Sequence, residues 1–95
     1  MNIIRTKHAK ERQREWEKRL GITRQDVEQT VNDPEQIVAG DMDALVAQRR
    51  RGGGLLRIPF VESSDGRKIL TVYWTSRIEK YWKEDYDENR LRFRG

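Results

Sequence analysis

The sequence predicts an α+β domain, two N-terminal helices packed on a twisted antiparallel sheet of about four strands. Three observations predict it. Apolar residues recur at helical spacing as far as residue 32, the period changes to alternation after Pro34, and the chain is 95 residues long, room for one core and no second. A chain this short buries about 60–65% of its unfolded surface, so the core must be compact and two-layered. On this reading residues 1–95 form one domain with its core at about 6–81 and a tail from 82. Both helices lie on one face of a sheet built from residues 36–75, and no strand precedes residue 30.

Each element has its own justification. Residues 6–20 read as a helix of mostly Lys, Glu, Arg and Gln, good helix formers, with Ala9, Trp16 and Leu20 at helical spacing. Gly21 is placed as its left-handed stop. Thr23-x-x-Asp26 resembles a capping box, and Ile22 with Val27 fits a hydrophobic staple. Val27 and Val31 form the buried stripe of this second helix, which ends at Asn32-Asp33-Pro34 because proline disfavours helix at the residue before it. Residues 36–39, 44–49, 55–62 and 68–75 then read as short strands between turn signals, with hairpin loops at Gly40-Asp41 and Ser63-Ser64-Asp65-Gly66. Leu56, Ile58 and Phe60 share one face. Pro59 cannot donate to a ladder, so its strand is at an edge or a bulge there. In the last strand Ile69, Thr71, Tyr73 and Thr75 fall on one face, and Leu70, Val72 and Trp74 on the other. Residues 77–89 form a short helix or a tail that docks through Tyr81 and Trp82.

Composition narrows the function classes. Lys and Arg number 20 and Asp and Glu 16, a formal net charge of +4. The balance is uneven along the chain: seven basic residues to three acids in 1–20, one to six in 21–48, eight to three in 49–80, and four to four in 81–95. If the two basic segments pack side by side they form one positive face that attracts phosphate backbones, with the acidic segment away from it. The plainer alternative is an ordinary solvated surface. The absence of cysteine excludes a disulfide scaffold, a zinc ribbon and a thiol nucleophile, and one histidine leaves little for a transition metal. No metal or other cofactor is expected. Apolar runs of four residues or fewer cannot span a membrane, and Met1-Asn2-Ile3-Ile4-Arg5 lacks a secretory signal's apolar stretch, so the expectation is a soluble, cytoplasmic protein.

Several residues carry possible chemistry. His8 is the sole histidine, and an imidazole suits general acid or base work, though a surface histidine without a role is the plainer reading. Arg12 lies one turn on, and a guanidinium beside an imidazole favours its neutral base form. Thr71, Tyr73 and Thr75 present hydroxyls two residues apart that suit a phosphate or a base, unless they are there for strand propensity alone. Arg49-Arg50-Arg51 before Gly52-Gly53-Gly54 suggests a mobile basic loop that clamps a nucleic-acid backbone, or a flexible charged hairpin. Neither a P-loop nor a GxGxxG fingerprint is present. The carboxylates of residues 26–43 have no metal-site spacing and read as solubilising.

Four motifs in order add a resemblance: His8-Ala9-x-x-Arg12, Gly21-Ile22-Thr23-x-x-Asp26-Val27, Asn32-Asp33-Pro34-Glu35, and Lys68-Ile69-Leu70-Thr71-Val72-Tyr73. They resemble a family of short bacterial proteins catalogued as a domain of unknown function, and the RelE/ParE-type toxins of toxin–antitoxin pairs. Asp33-Pro34, Thr75-Ser76-Arg77 and Tyr81 are similar to segments of the BrnT-like toxins in particular. The resemblance covers about residues 6–81. The first helix is about one turn longer than usual, and residues 49–54 lie outside the family pattern. It implies a metal-independent endoribonuclease toxin that cleaves RNA by 2′-hydroxyl attack, free or on the ribosome, and is held inactive by a cognate antitoxin protein. Such cleavage needs a base, cations for the growing phosphorane charge and an acid for the leaving oxygen. By matching positions, His8 is base or acid, Arg12 and Arg77 stabilise charge, and Thr71 and Tyr73 position the phosphate or a base. Arg57 is an additional cation, and Arg49, Arg50, Arg51, Lys68 and Tyr81 contact RNA. The alternatives are a non-catalytic nucleic-acid-binding or target-inhibiting module of the same fold, or an interaction subunit whose basic face meets an acidic partner.

Overall fold

In the computed structural model, which describes residues 2–84, the first helix α1 spans Lys7–Leu20. Thr6 is in extended backbone, and its hydroxyl accepts from the Ala9 N–H at 3.0 Å. That N-cap satisfies one of the amides a helix start leaves open. Gly21 closes the helix at φ +70°, a left-handed position that suits glycine. Helix α2, Arg24–Asn32, opens on the expected capping box: the Thr23 hydroxyl accepts from the Asp26 N–H at 3.1 Å, and the Asp26 carboxylate accepts from the Thr23 N–H at 2.8 Å. Ile22 and Val27 are both buried, as a staple requires.

The strands are β1 (Ile3–Arg5), β2 (Gln36–Ala39), β3 (Leu45–Arg51), β4 (Gly54–Ser63), β5 (Gly66–Ile69) and β6 (Tyr73–Thr75), followed by a short helix α3 (Ile78–Tyr81). They form a six-stranded sheet in the order β1-β5-β4-β3-β2, with β6 also paired to β4. The expected sheet of about four strands therefore gains two. One is β1, which pairs in parallel with β5, Ile3 opposite Arg67 and Arg5 opposite Ile69. Three residues carry no readable alternation, so the expectation of no strand before residue 30 fails here. Gly66 makes room for it, because a Cβ there would sit 2.3 Å from the Asn2 carbonyl oxygen.

The other gain is a break. The expected strand 68–75 is split into β5 and β6 along the same edge of β4. Phe60 pairs with Ile69 but Arg57 with Tyr73, so three steps along β4 face four along its partner. One extra residue is a bulge, and it reverses the side on which later residues fall. Pro59 stands opposite: its carbonyl accepts from the Leu70 N–H at 2.9 Å, and its nitrogen, which has no hydrogen, faces the same break. Ile69 and Val72 thus both enter the core, while Leu70 and Thr71 both border the opposite side. The strict alternation expected for residues 69–72 is corrected accordingly. Trp16 on α1 donates its indole N–H to the Val72 carbonyl at 3.0 Å.

Both helices cover one face of the sheet. Ala9, Ile22, Val27 and Val31 pack with Ala47, Leu56, Ile58, Phe60, Ile69 and Val72. Leu20, placed by its spacing in the buried stripe, is 44% exposed. Gln13 is buried instead, because it sits one turn from Ala9 and its amide donates to the Ile22 carbonyl at 2.9 Å.

Helix α2 also lies across β3, which overturns two charge expectations. The Arg51 guanidinium meets the Asp26 carboxylate at 2.8 Å, Arg49 donates to the Asp33 carbonyl at 3.1 Å, and the Arg50 N–H donates to the Glu35 carboxylate at 2.7 Å. The acidic segment therefore packs onto the second basic one rather than away from it. Nor do residues 49–54 form a loop apart from the sheet; of the two alternatives they take the charged hairpin. Arg49, Arg50 and Arg51 end β3, and Gly52 and Gly53, at φ +55° and +79°, turn tightly into β4.

The second face of the sheet receives the chain after β6. Gln48 donates to the Tyr81 carbonyl at 3.0 Å, and Gln36 exchanges hydrogen bonds with the Lys83 backbone at 2.7 and 3.0 Å. The tail expected from residue 82 lies outside the described residues beyond 84. No helix among the described residues is long and apolar enough to cross a membrane.

Candidate functional site

On the second face, one row of side chains runs across four strands. The register places Gln36 opposite Gln48, Gln48 opposite Arg57, and Arg57 opposite Tyr73. The row is hydrogen-bonded throughout: Gln48 donates to Gln36 at 2.8 Å, Arg57 Nε donates to the Gln48 carbonyl oxygen at 2.9 Å, and Arg57 Nη1 donates to the Tyr73 hydroxyl. Arg57 is only 6% exposed, although arginine cannot shed its charge in a protein. Its guanidinium carbon lies 3.9 Å from the Tyr81 ring centre and 5.4 Å from that of Tyr73. Two aromatic faces contribute a cation–π attraction of about 0.5–2 kcal/mol each.

No carboxylate pairs with Arg57 among the described residues, and its Nη2 makes no hydrogen bond there. Other sheet arginines differ. Arg67 is held by Glu62 at 3.2 Å and by the Val31 carbonyl at 2.8 Å, and Arg51 by Asp26. A buried charge ordinarily has a partner of opposite sign, because desolvation without one costs several kcal/mol. Arg57 is the exception.

Beside it opens a groove of about 600 Å³. Val38, Ala44, Val46, Pro59 and Leu70 give it an apolar floor, and Arg57, Thr71, Tyr73, Tyr81, Lys80 and Lys83 give it donors and charge. Asp41 is the carboxylate on its lining. Burial holds the Tyr73 phenol above its ordinary pKa, against the opposing pull of Arg57, so it stays a proton donor near neutral pH. A second cavity of about 140 Å³ lies between α2 and β3, but the Arg49, Arg50 and Arg51 that border it share it with Asp26.

The sequence-predicted residues divide between these places. Arg57, Thr71, Tyr73 and Tyr81 come together in the groove. His8 and Arg12 sit exposed on α1, in the layer across the sheet, and the Arg12 guanidinium pairs with Glu15 at 2.9 Å rather than with the imidazole. Arg77 is exposed at the start of α3 and Lys68 exposed on β5. Arg49 and Arg51 turn toward α2, and Arg50 stacks 4.5 Å from the Trp82 ring centre. Sequence reasoning missed Gln36 and Gln48, whose signal is two glutamines twelve residues apart in strands that pair. Among the described residues no three His, Asp or Glu side chains gather as metal ligands would.

A family model, described as a domain of unknown function (DUF4258), matches residues 5–74. No curated protein and no solved structure matches the chain. The matched stretch holds Gln36, Gln48, Arg57, Thr71 and Tyr73 and stops short of Lys80, Tyr81 and Lys83. On that match, which covers most of its length, the chain belongs to the DUF4258 family.

Proposed function

We propose that the groove binds single-stranded RNA, with a phosphate on Arg57 and bases against the tyrosine rings. The observation that carries this reading is the buried, hydrogen-bonded Arg57, with which no carboxylate pairs among the described residues. A phosphate supplies the missing counter-charge through a charge-assisted bond to Nη2. Aromatic rings next to a cation are the pairing that single-stranded nucleic acids meet, whereas a duplex keeps its bases stacked out of reach. Lys80 and Lys83 at the rim extend the positive charge along a backbone.

A second reading, the RNA-cleaving toxin of a toxin–antitoxin pair, is favoured by the Tyr73 hydroxyl on Arg57. In 2′-hydroxyl attack the new O2′–P bond forms as the P–O5′ bond breaks, leaving a 2′,3′-cyclic phosphate and a 5′-hydroxyl. Asp41 takes the 2′-hydroxyl proton, Arg57 stabilises the phosphorane charge and Tyr73 gives its proton to the leaving oxygen. These roles fall on groove residues, since His8 does not line the groove. A cognate antitoxin with acidic side chains would compete for the same cations.

Anisotropy of a labelled single-stranded RNA tests the binding reading. Arg57→Gln removes a charged hydrogen bond of about 1.5–3 kcal/mol, so affinity should fall roughly 10- to 100-fold. Lys80→Ala and Lys83→Ala should cost less. A folded Arg57→Gln protein that binds as tightly as wild type contradicts the reading. For cleavage, wild type should release cyclic-phosphate ends in the presence of a chelator, and its expression should arrest bacterial growth unless Arg57 is replaced. Tight binding without product leaves the binding module alone.

A further inference from the structure

We infer that Gln48 is a positioning residue that fixes the guanidinium of Arg57 while leaving its charge available to the ligand. The inference rests on the RNA-binding reading of the groove and names a residue that sets its specificity for anions.

A glutamine side chain has one acceptor oxygen and one NH₂ group with two donors. In Gln48 both N–H groups are used, toward the Gln36 side-chain oxygen at 2.8 Å and the Tyr81 carbonyl at 3.0 Å. Its oxygen is thereby turned to Arg57 Nε, 2.9 Å away. Gln36 is fixed in turn, since its oxygen accepts from the Lys83 N–H and its NH₂ donates to the Lys83 carbonyl. The orientation of Arg57 is therefore set from the backbone inward. Gln48 is fully buried, so no water substitutes for either end of the amide.

The neutrality of the residue matters as much as its shape. Arg49, Arg51 and Arg67 on the same sheet each meet a carboxylate. At position 48 a glutamate would have the same length and reach the same nitrogen, but its charge would pair with Arg57 internally. An incoming phosphate would then find a neutral pair instead of a cation. Glutamine delivers the hydrogen bond without the charge.

The experiment compares wild type, Gln48→Glu and Gln48→Met for binding of a ten-nucleotide single-stranded RNA across a salt series, with thermal unfolding measured in parallel. Gln48→Glu should bind roughly 10- to 100-fold more weakly, and its slope of log K against log salt should be shallower by about 0.7, one phosphate fewer. Gln48→Met keeps the cation but not its orientation, so affinity should fall several-fold with the slope unchanged. A merely structural role lowers the unfolding temperature of both variants and leaves the slopes alike. Folded Gln48→Glu with wild-type affinity and slope overturns the inference. If Gln48→Glu does not fold, Gln48→Met decides, and wild-type affinity in it overturns the inference as well. Wild type that binds no RNA at any salt overturns the binding reading itself, whatever the variants do.

Discussion

Arg57 and Asp26 show how the same fold treats a charge in two ways. Asp26 closes the capping box of α2 and accepts from Arg51, both at 2.8 Å. Burial acts to raise its carboxyl pKa, but the hydrogen bonds from Arg51 and Thr23 outweigh it, and the net direction is downward. A lowered folded-state pKa means that the carboxylate's stabilisation is complete above the unfolded value of about 3.9 and is lost as pH falls through the folded one. Asp26→Asn should therefore cost about 0.5–1 kcal/mol at pH 7, discounted for its partial exposure, and the gap should close in acid. Denaturant unfolding at pH 7 and pH 3 measures both. Arg57 has no such partner among the described residues, and the proposed RNA-binding reading rests on that difference. Its place on a strand beside the tyrosines was legible in the sequence, but its burial was not. A polar residue in an alternating strand reads as solvent-facing until something is known to cross that face, and here it is the chain after β6.

At the scale of elements, the signals that could be read were local ones. Thr23-x-x-Asp26, Gly21 and Pro34 mark helix ends through chemistry within a few residues of themselves, and all three stand where expected. The bulge at Leu70 and Thr71 and the parallel strand β1 were not legible, because both depend on distant partners. Pro59 came nearest to revealing the bulge, since its missing donor had to face a gap in some ladder. Position 66 offers a test of β1. Gly66→Ala forces a side chain at φ +135° against the Asn2 backbone, while Gly52→Ala, at φ +55°, meets nothing within 4 Å. The first should destabilise by about 1–3 kcal/mol and the second by about 1–2 kcal/mol. Hydrogen exchange should separate them further, with the Arg67 amide, bonded to the Asn2 carbonyl, losing protection in Gly66→Ala alone.

Across the whole molecule, the segmental charge count was correct as arithmetic and misleading as a map. It set the acids of residues 21–48 apart from Arg49, Arg50 and Arg51, but helix α2 is laid on strand β3 and brings them together. Replacing Arg49 and Arg51 by Ala should accordingly lower stability more than RNA affinity, a comparison that thermal unfolding and anisotropy make directly. The two faces of the sheet divide the labour proposed for them: the helix side holds the core, and the other side holds a glutamine–arginine–tyrosine row beside a groove. The most direct test of that division is a residue-resolved NMR titration with a short single-stranded RNA. The account predicts shift changes centred on Arg57, Thr71, Tyr73 and Tyr81 that diminish in Arg57→Gln. Changes centred instead on His8 and Arg12 of α1, with the groove unmoved, would contradict it.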